Sequence, residues 1–346
     1  MESNYIGGSS RLNDDFSWLQ VIRSPPPSRR VTLVSDVIEV VTTQDHLVEM
    51  LRLRDINRRH HRSDADRGDL IDFCGSDEDN DGDFNQCVHE KMNHSINILF
   101  DNKKQVEELE FAFDVIEQFI DNIDYANDFV KLGGFYIFLP CFRSEHPSVR
   151  IRTCEFIFKL VQNNQYCQNK FMENTNCLKL QALMYMVEND NDNEVRAKAL
   201  FAIYSLVRKN LPVFWQFIAH GGKDLILNSL KTTITKLKFK AVLFIYSTIC
   251  HMGNEVAGLY FDNGVVKIIC SIIMGMEKNV EPFHNKLVLL TLKQLIRLSP
   301  ARVKEICSSV EDFKEALISL RDSYSNESKY QEEKEHILWL MGKLRL

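Results

Sequence analysis

The chain has 346 residues, of which 45% are apolar, and its 42 Lys+Arg against 48 Asp+Glu leave a formal net charge of −6. A large core can be buried, a generally basic nucleic-acid binder is excluded, and no whole-protein attraction to an anionic membrane is expected. No apolar run approaches the roughly 18 residues of a membrane-spanning helix.

The N-terminal Met1-Glu2-Ser3-Asn4-Tyr5-Ile6 is polar and has neither a basic opening nor an apolar stretch, so no secretory signal is read there. Nine cysteines without a Cys-x-x-Cys pair read as reduced thiols, and hence as a chain of the cytoplasm with access to the nucleus. Residues 1–91 differ in kind from the rest and are expected to form a largely disordered extension. They contain Pro25-Pro26-Pro27, an apolar stretch from Val31 to Leu53 and an Arg-rich segment (Arg52, Arg54, Arg58, Arg59, Arg62, Arg67) diluted by Asp55, Asp64 and Asp66. An acidic run follows. Asp77 to Asp83 resembles the first half of a calcium-binding EF-hand loop, but the twelfth position, which needs a bidentate carboxylate, is Val88. Cys87, His89 and His94 lack a fourth ligand at zinc-finger spacing.

From Met92 onward the pattern is helical. Val106, Leu109, Phe113, Ile116, Ile120 and Ile123 recur every three or four residues and predict one face of an amphipathic helix. Similar stretches continue to the C-terminus, with Pro147, Pro212, Pro282 and Pro300 at helix starts or connections, and Pro140 expected to kink or end its helix.

Two landmarks then recur in phase. One is a corner: Lys131-Leu132-Gly133-Gly134, His220-Gly221-Gly222-Lys223 and Asp262-Asn263-Gly264-Val265, with a degenerate copy at Asn176-Cys177. The other is an apolar-basic segment: Val149 to Arg152, Val195 to Lys198, Leu237 to Lys240 and Phe283 to Lys286. Arg152, Lys198, Lys240 and Lys286 are separated by 46, 42 and 46 residues. A period in the low-to-mid forties is that of armadillo and HEAT units, each too small to bury its apolar face alone. Residues 92–346 therefore predict an all-α, armadillo/HEAT-like, right-handed superhelical solenoid.

In such a unit the last helix lines the concave face. With Val195, Ala199, Ala202, Ile203 and Leu206 as the buried stripe, Lys198, Phe201, Ser205 and Arg208 face the groove. The same register aligns Arg152, Lys198, Lys240 and Lys286 as a basic column, flanked by Arg150, Arg196 and Lys238. A positive stripe of this kind attracts and orients an acidic partner surface. Clamping of an extended peptide is disfavoured. The positions where such armadillo proteins carry Trp are Glu155, Phe201, Leu243 and Leu289, and those where they carry Asn are Lys159, Ser205, Ser247 and Lys293. No Walker A loop, Gly-x-Ser-x-Gly elbow or His-Glu-x-x-His occurs, and no enzyme is expected.

The segment Leu109 to Phe129, with its Asp124-Tyr125-Ala126-Asn127, resembles the opening of the Hsp70-binding-protein/Fes family, the armadillo-type nucleotide exchange factors of heat-shock protein 70. Glu194 to Arg208, Lys236 to Lys240, Pro282-Phe283-His284 and Tyr330 to Glu333 are similar to its later segments. The resemblance implies a co-chaperone that binds the ATPase domain of heat-shock protein 70 and promotes ADP release. It implies a monomer without a bound cofactor and without affinity for nucleic acid or membrane; the alternative is a generic armadillo scaffold. It also implies that Ala126 and Lys240 lie at the contact, with a small side chain at 126 permitting close approach. The candidate contact set is Ala126, Arg152, Lys159, Lys198, Phe201, Arg208, Lys240 and Lys286.

Overall fold

A computed structural model describes residues 81–101, 104–173, 177–262, 264–276, 282–324 and 330–345. The polyproline, Val31–Leu53 and Arg-rich features, and the acidic residues 77–80, lie outside the described residues. Among the described residues every regular element is a helix.

The first is α1 (Asp81–Phe100), whose opening turn contains Asp81, Gly82 and Asp83 and which starts ahead of Met92. Then comes α2 (Val106–Ile120), the first long helix of the stack. Leu109, Phe113, Ile116 and Ile120 are buried as the period predicts, but Ile123 is not on this helix. Asn122 accepts a hydrogen bond from the Asp124 N–H and starts a new helix, leaving Ile123 exposed.

Five three-helix units follow. The first is α3 (Ile123–Lys131), the short α4 (Phe138–Phe142) after a 3₁₀ turn, and α5 (Pro147–Val161). The second is α6 (Gln165–Met172), α7 (Leu178–Asn189) and α8 (Asn193–Val207). The third is α9 (Leu211–Phe217), α10 (Lys223–Lys231) and α11 (Thr235–Met252). The fourth is α12 (Asn254–Asp262), α13 (Val265–Met274) and α14 (Pro282–Leu298). The fifth is α15 (Pro300–Ser308), α16 (Phe313–Ser323) and α17 (Gln331–Leu344). Pro147, Pro212, Pro282 and Pro300 all sit in first turns, where a missing N–H leaves no bond unmade. Pro140 occupies the middle of five-residue α4.

The corner between the first and second helix of each unit is left-handed: Gly133 at φ 81°, Cys177 at 51°, Gly221 at 98°, Gly264 at 73° and Asp312 at 59°. Glycine enters that region without a Cβ clash. The second glycine of each Gly-Gly pair has a different cause. A Cβ at Gly134 would stand 2.3 Å from the Phe129 ring, and one at Gly222 2.5 Å from the Phe217 ring. The phenylalanine near the end of each of these two first helices packs onto bare backbone at the corner.

The long helices α2, α5, α8, α11, α14 and α17 each pack on the next and form one layer. Second helices form a parallel layer, and first helices an edge, pinned in the early units by side-chain amides. Asn164 Nδ2 donates to Asn127 Oδ1 at 3.1 Å, Asn210 Nδ2 to Gln168 Oε1 at 3.0 Å, and Gln168 Nε2 to the Ser205 carbonyl at 3.0 Å. One continuous apolar core runs from Val88 to Leu344, each unit burying its neighbour's face.

Among the described cysteines seven are free. Cys87 is disulfide-bonded and departs from the reduced-thiol expectation. Nearby, His89 Nε2 lies 2.9 Å from Asp128 Oδ2.

Candidate functional site

The long-helix layer brings the predicted column onto one face, but the cations do not stand alone there. The Arg152 guanidinium on α5 bonds Asp114 and lies 3.2 Å from Glu117, both on α2, and Lys159 bonds Glu117 as well. Lys198 on α8 reaches Glu155 on α5 at 2.5 Å. Lys236 on α11 reaches Glu194 on α8 at 2.5 Å. Lys286 on α14 pairs forward with Glu332 on α17, which raises the proton affinity of the ammonium. The column is therefore mostly a ladder of intramolecular pairs between adjacent long helices. The expectation of a continuous positive stripe is corrected, because acids on the neighbouring helices neutralise Arg152, Lys159, Lys198 and Lys286. Exposed pairs of this kind contribute about 0–1 kcal/mol each, so they tune the surface and do not hold the stack together.

Lys240 is the exception. Its ammonium sits 3.7 Å from the centroid of the Phe201 ring and forms no ion pair among the described residues. The cause is visible in the repeat register. Phe201 on α8 stands where Glu155 stands on α5, so the ring occupies the place of the carboxylate. Phe201 stacks on Phe158 at 4.4 Å and on Tyr204 at 5.5 Å, the Tyr204 hydroxyl lies 3.0 Å from Ser247 Oγ, and the Arg208 guanidinium lies 5.9 Å from the Tyr204 ring. Burial lowers the Lys240 pKa, the neighbouring Lys198 lowers it further, and Glu194 opposes from a distance. The Arg208 Nε is buried without a hydrogen-bond partner. Three stacked rings with two cations across α5, α8 and α11 make a half-buried site suited to a partner's carboxylate.

Other expectations separate here. Ser205 is buried and donates its hydroxyl to the Ala202 carbonyl, because α8 is covered on nearly all sides by α5, α7, α9 and α11. Leu289 and Ser247 are buried too, so two further positions of an extended-peptide clamp are closed. Arg150 turns away from the face. It grips Asp190 with two bonds of 2.8 and 2.9 Å and donates to the Ser144 carbonyl. Arg196 donates to the Val187 carbonyl at 2.8 Å, fixing α8 to α7.

Ala126 is only 2% exposed, under a cleft of about 210 Å³ lined also by Ile123, Lys159 and Gln162. Its carbonyl accepts from Cys167 Sγ, and its neighbour Asn127 accepts from Asn164. The side chain is thus packed between α3 and α6, at the floor of that cleft. An Arg there collides first with this chain's own residues. The sequence reading misses Asp114, Glu117, Glu332 and the Phe158–Phe201–Tyr204 stack. Glu155 and Phe201 at equivalent positions are the signal it had to hand.

The comparisons with known proteins agree with this architecture. The SIL1/FES1/HPBP1 C-terminal domain matches residues 125–257, and the domain described as nucleotide exchange factor Fes1 matches residues 82–129. Over residues 82–257 the chain is similar to the SIL1/FES1/HPBP1 family. Among curated relatives, the Hsp70 nucleotide exchange factor FES1 of Eremothecium gossypii is 26% identical over 47% of this chain and 57% of its own length. The Hsp70-binding protein 1 of Rattus norvegicus is 27% identical over 66% of this chain and 62% of its own. The chain thus spans less than two thirds of the length of either relative. A designed armadillo repeat protein superposes with a TM-score of 0.56 at 14% identity, covering 73% of this chain and 99% of that one, which shows the fold alone. The SIL1/FES1/HPBP1 match includes Lys240, Phe201 and Arg208, whereas Lys286 lies beyond both matched segments.

Proposed function

We propose that this chain is a nucleotide exchange factor, a co-chaperone whose long-helix face grips the ATPase domain of heat-shock protein 70 and promotes release of ADP. The observation that carries this reading is where the unpaired cation falls. Lys240, over Phe201, lies inside the matched segment and on the layer where the other column cations already have carboxylates. A half-buried ammonium held by a ring and short of a counter-ion gains more from a partner's carboxylate than a solvated one does. The similarity to an Hsp70 nucleotide exchange factor and to an Hsp70-binding protein supports the same partner.

On this reading the chain is not an enzyme and needs no cofactor of its own, since the nucleotide belongs to the partner. It binds an ATPase domain whose lobes are displaced, which loosens ADP. Linkage makes the effect reciprocal: the factor by which this protein weakens ADP is the factor by which ADP weakens this protein. We place its action in the cytoplasm with access to the nucleus, as a monomer, with neither nucleic acid nor membrane as partner.

The test is retention of purified heat-shock protein 70 on the immobilised chain, combined with release of a fluorescent ADP. The expected result is retention without nucleotide, elution on addition of ATP, and accelerated ADP release. Retention indifferent to nucleotide, with an unchanged release rate, overturns the proposal and leaves a scaffold.

A further inference from the structure

At the C-terminal end of the long-helix layer stands a second aromatic-cation cluster. Trp339 on α17 is half-buried. The Lys293 ammonium lies 5.1 Å from its ring centroid, the Arg297 guanidinium 5.8 Å and the Lys343 ammonium 5.8 Å. None of these three cations forms an ion pair among the described residues, although Lys286, about two helical turns before Lys293, pairs with Glu332. Lys293 lies 3.4 Å from His336 Nδ1, which can only accept from it. Leu338, beside the tryptophan, is 48% exposed. The cluster lies beyond residue 257, outside both matched segments.

We propose that this cluster is a separate docking surface for a short acidic segment of a partner protein. The segment carries two or three carboxylates for Lys293, Arg297 and Lys343, and an apolar side chain for Leu338 and the Trp339 edge. Charge complementarity argues for it: three unpaired cations converge on one ring in a chain whose net charge is −6. The cluster is compact, centred on a single residue, and suits a few carboxylates better than a running phosphate backbone. The proposal does not rest on the chaperone reading, and its test contains no chaperone.

The experiment titrates the full chain into a dye-labelled peptide of Asp and Glu with one Leu, followed by anisotropy and by the emission of Trp339, with Trp339→Phe as the spectral blank. Saturable binding is expected, weakened about tenfold or more as salt is raised from about 20 to about 200 mM, because the screening length shortens across that range. The triple variant Lys293→Gln, Arg297→Gln, Lys343→Gln removes charge from exposed or half-exposed positions and leaves the core intact. It should lose about tenfold or more in affinity with an unchanged melting temperature. Equal binding by the triple variant overturns the proposal, as does no binding at low salt. Tighter binding of an oligouridylate of the same charge than of the peptide, lost in the same variant, overturns it in favour of a nucleic acid.

Discussion

Two stretches of the same helical face carry similar cations and do different things with them. Between α2 and α8, Arg152, Lys159 and Lys198 each find a carboxylate on the preceding long helix. Between α8 and α11 the equivalent place holds the Phe201 ring, and Lys240 lies over it without a counter-ion. The difference comes from one position in the repeat, Glu155 against Phe201. It shows that the charge of a solenoid face is set by helix pairs and cannot be counted along one helix. A column of four cations in the sequence becomes, in the fold, a neutralised ladder with one rung that has no carboxylate among the described residues.

The largest effect expected on stability lies off this face. Asp190→Ala strips the counter-ion from the nearly buried Arg150, and urea unfolding should show a loss of about 3–5 kcal/mol. A loss no bigger than for an exposed pair would place Arg150 among the surface charges instead.

Next is Lys179, the buried counterpart of Lys240. It lies between the Phe135 and Phe171 rings at 5.6 and 5.5 Å, and burial pushes its pKa down to about 8. The unfolded lysine holds its proton to about 10.4, so the unfolded state binds more protons between those values and stability rises with pH across that window. At neutral pH the buried charge costs about 3 kcal/mol by the same linkage, and Lys179→Met should recover most of it and flatten the profile between pH 8 and about 10. An unaltered profile in the variant refutes that placement of the ammonium.

Lys240→Glu comes third. It should weaken chaperone binding by about 1–3 kcal/mol with little change in stability, as a calorimetric titration would read. The smallest effect is at a paired rung. Glu155→Gln should alter stability by under about 0.5 kcal/mol, and freeing Lys198 from its carboxylate should lower the proton affinity of Lys240 further. A destabilisation of several kcal/mol there would mean that the ladder, not the core, holds α5 to α8.

Much of the fold is legible in the residues alone, because glycine corners and proline starts are backbone constraints written in single positions. The degenerate corner at Cys177 is left-handed like the glycines it replaces although its residue type does not mark it, and the fifth corner falls at Asp312, a residue type that tolerates this region but is too common elsewhere to signal it. The site is less legible. Spacing places Lys240 and Phe201 correctly on one face, yet whether a lysine there is paired depends on residues about 40 positions away on another helix. Ala126 is hard to read for a related reason. A small side chain suggests close approach, and the close approach is that of this chain's own α6.

The decisive measurement is stopped-flow release of fluorescent ADP from heat-shock protein 70 with the unaltered chain, Lys240→Glu and the paired control Lys286→Gln. Acceleration by the unaltered chain and the control, lost in Lys240→Glu, is the predicted result. Equal acceleration by all three would contradict a role for the unpaired lysine, and acceleration by none would contradict the exchange activity itself.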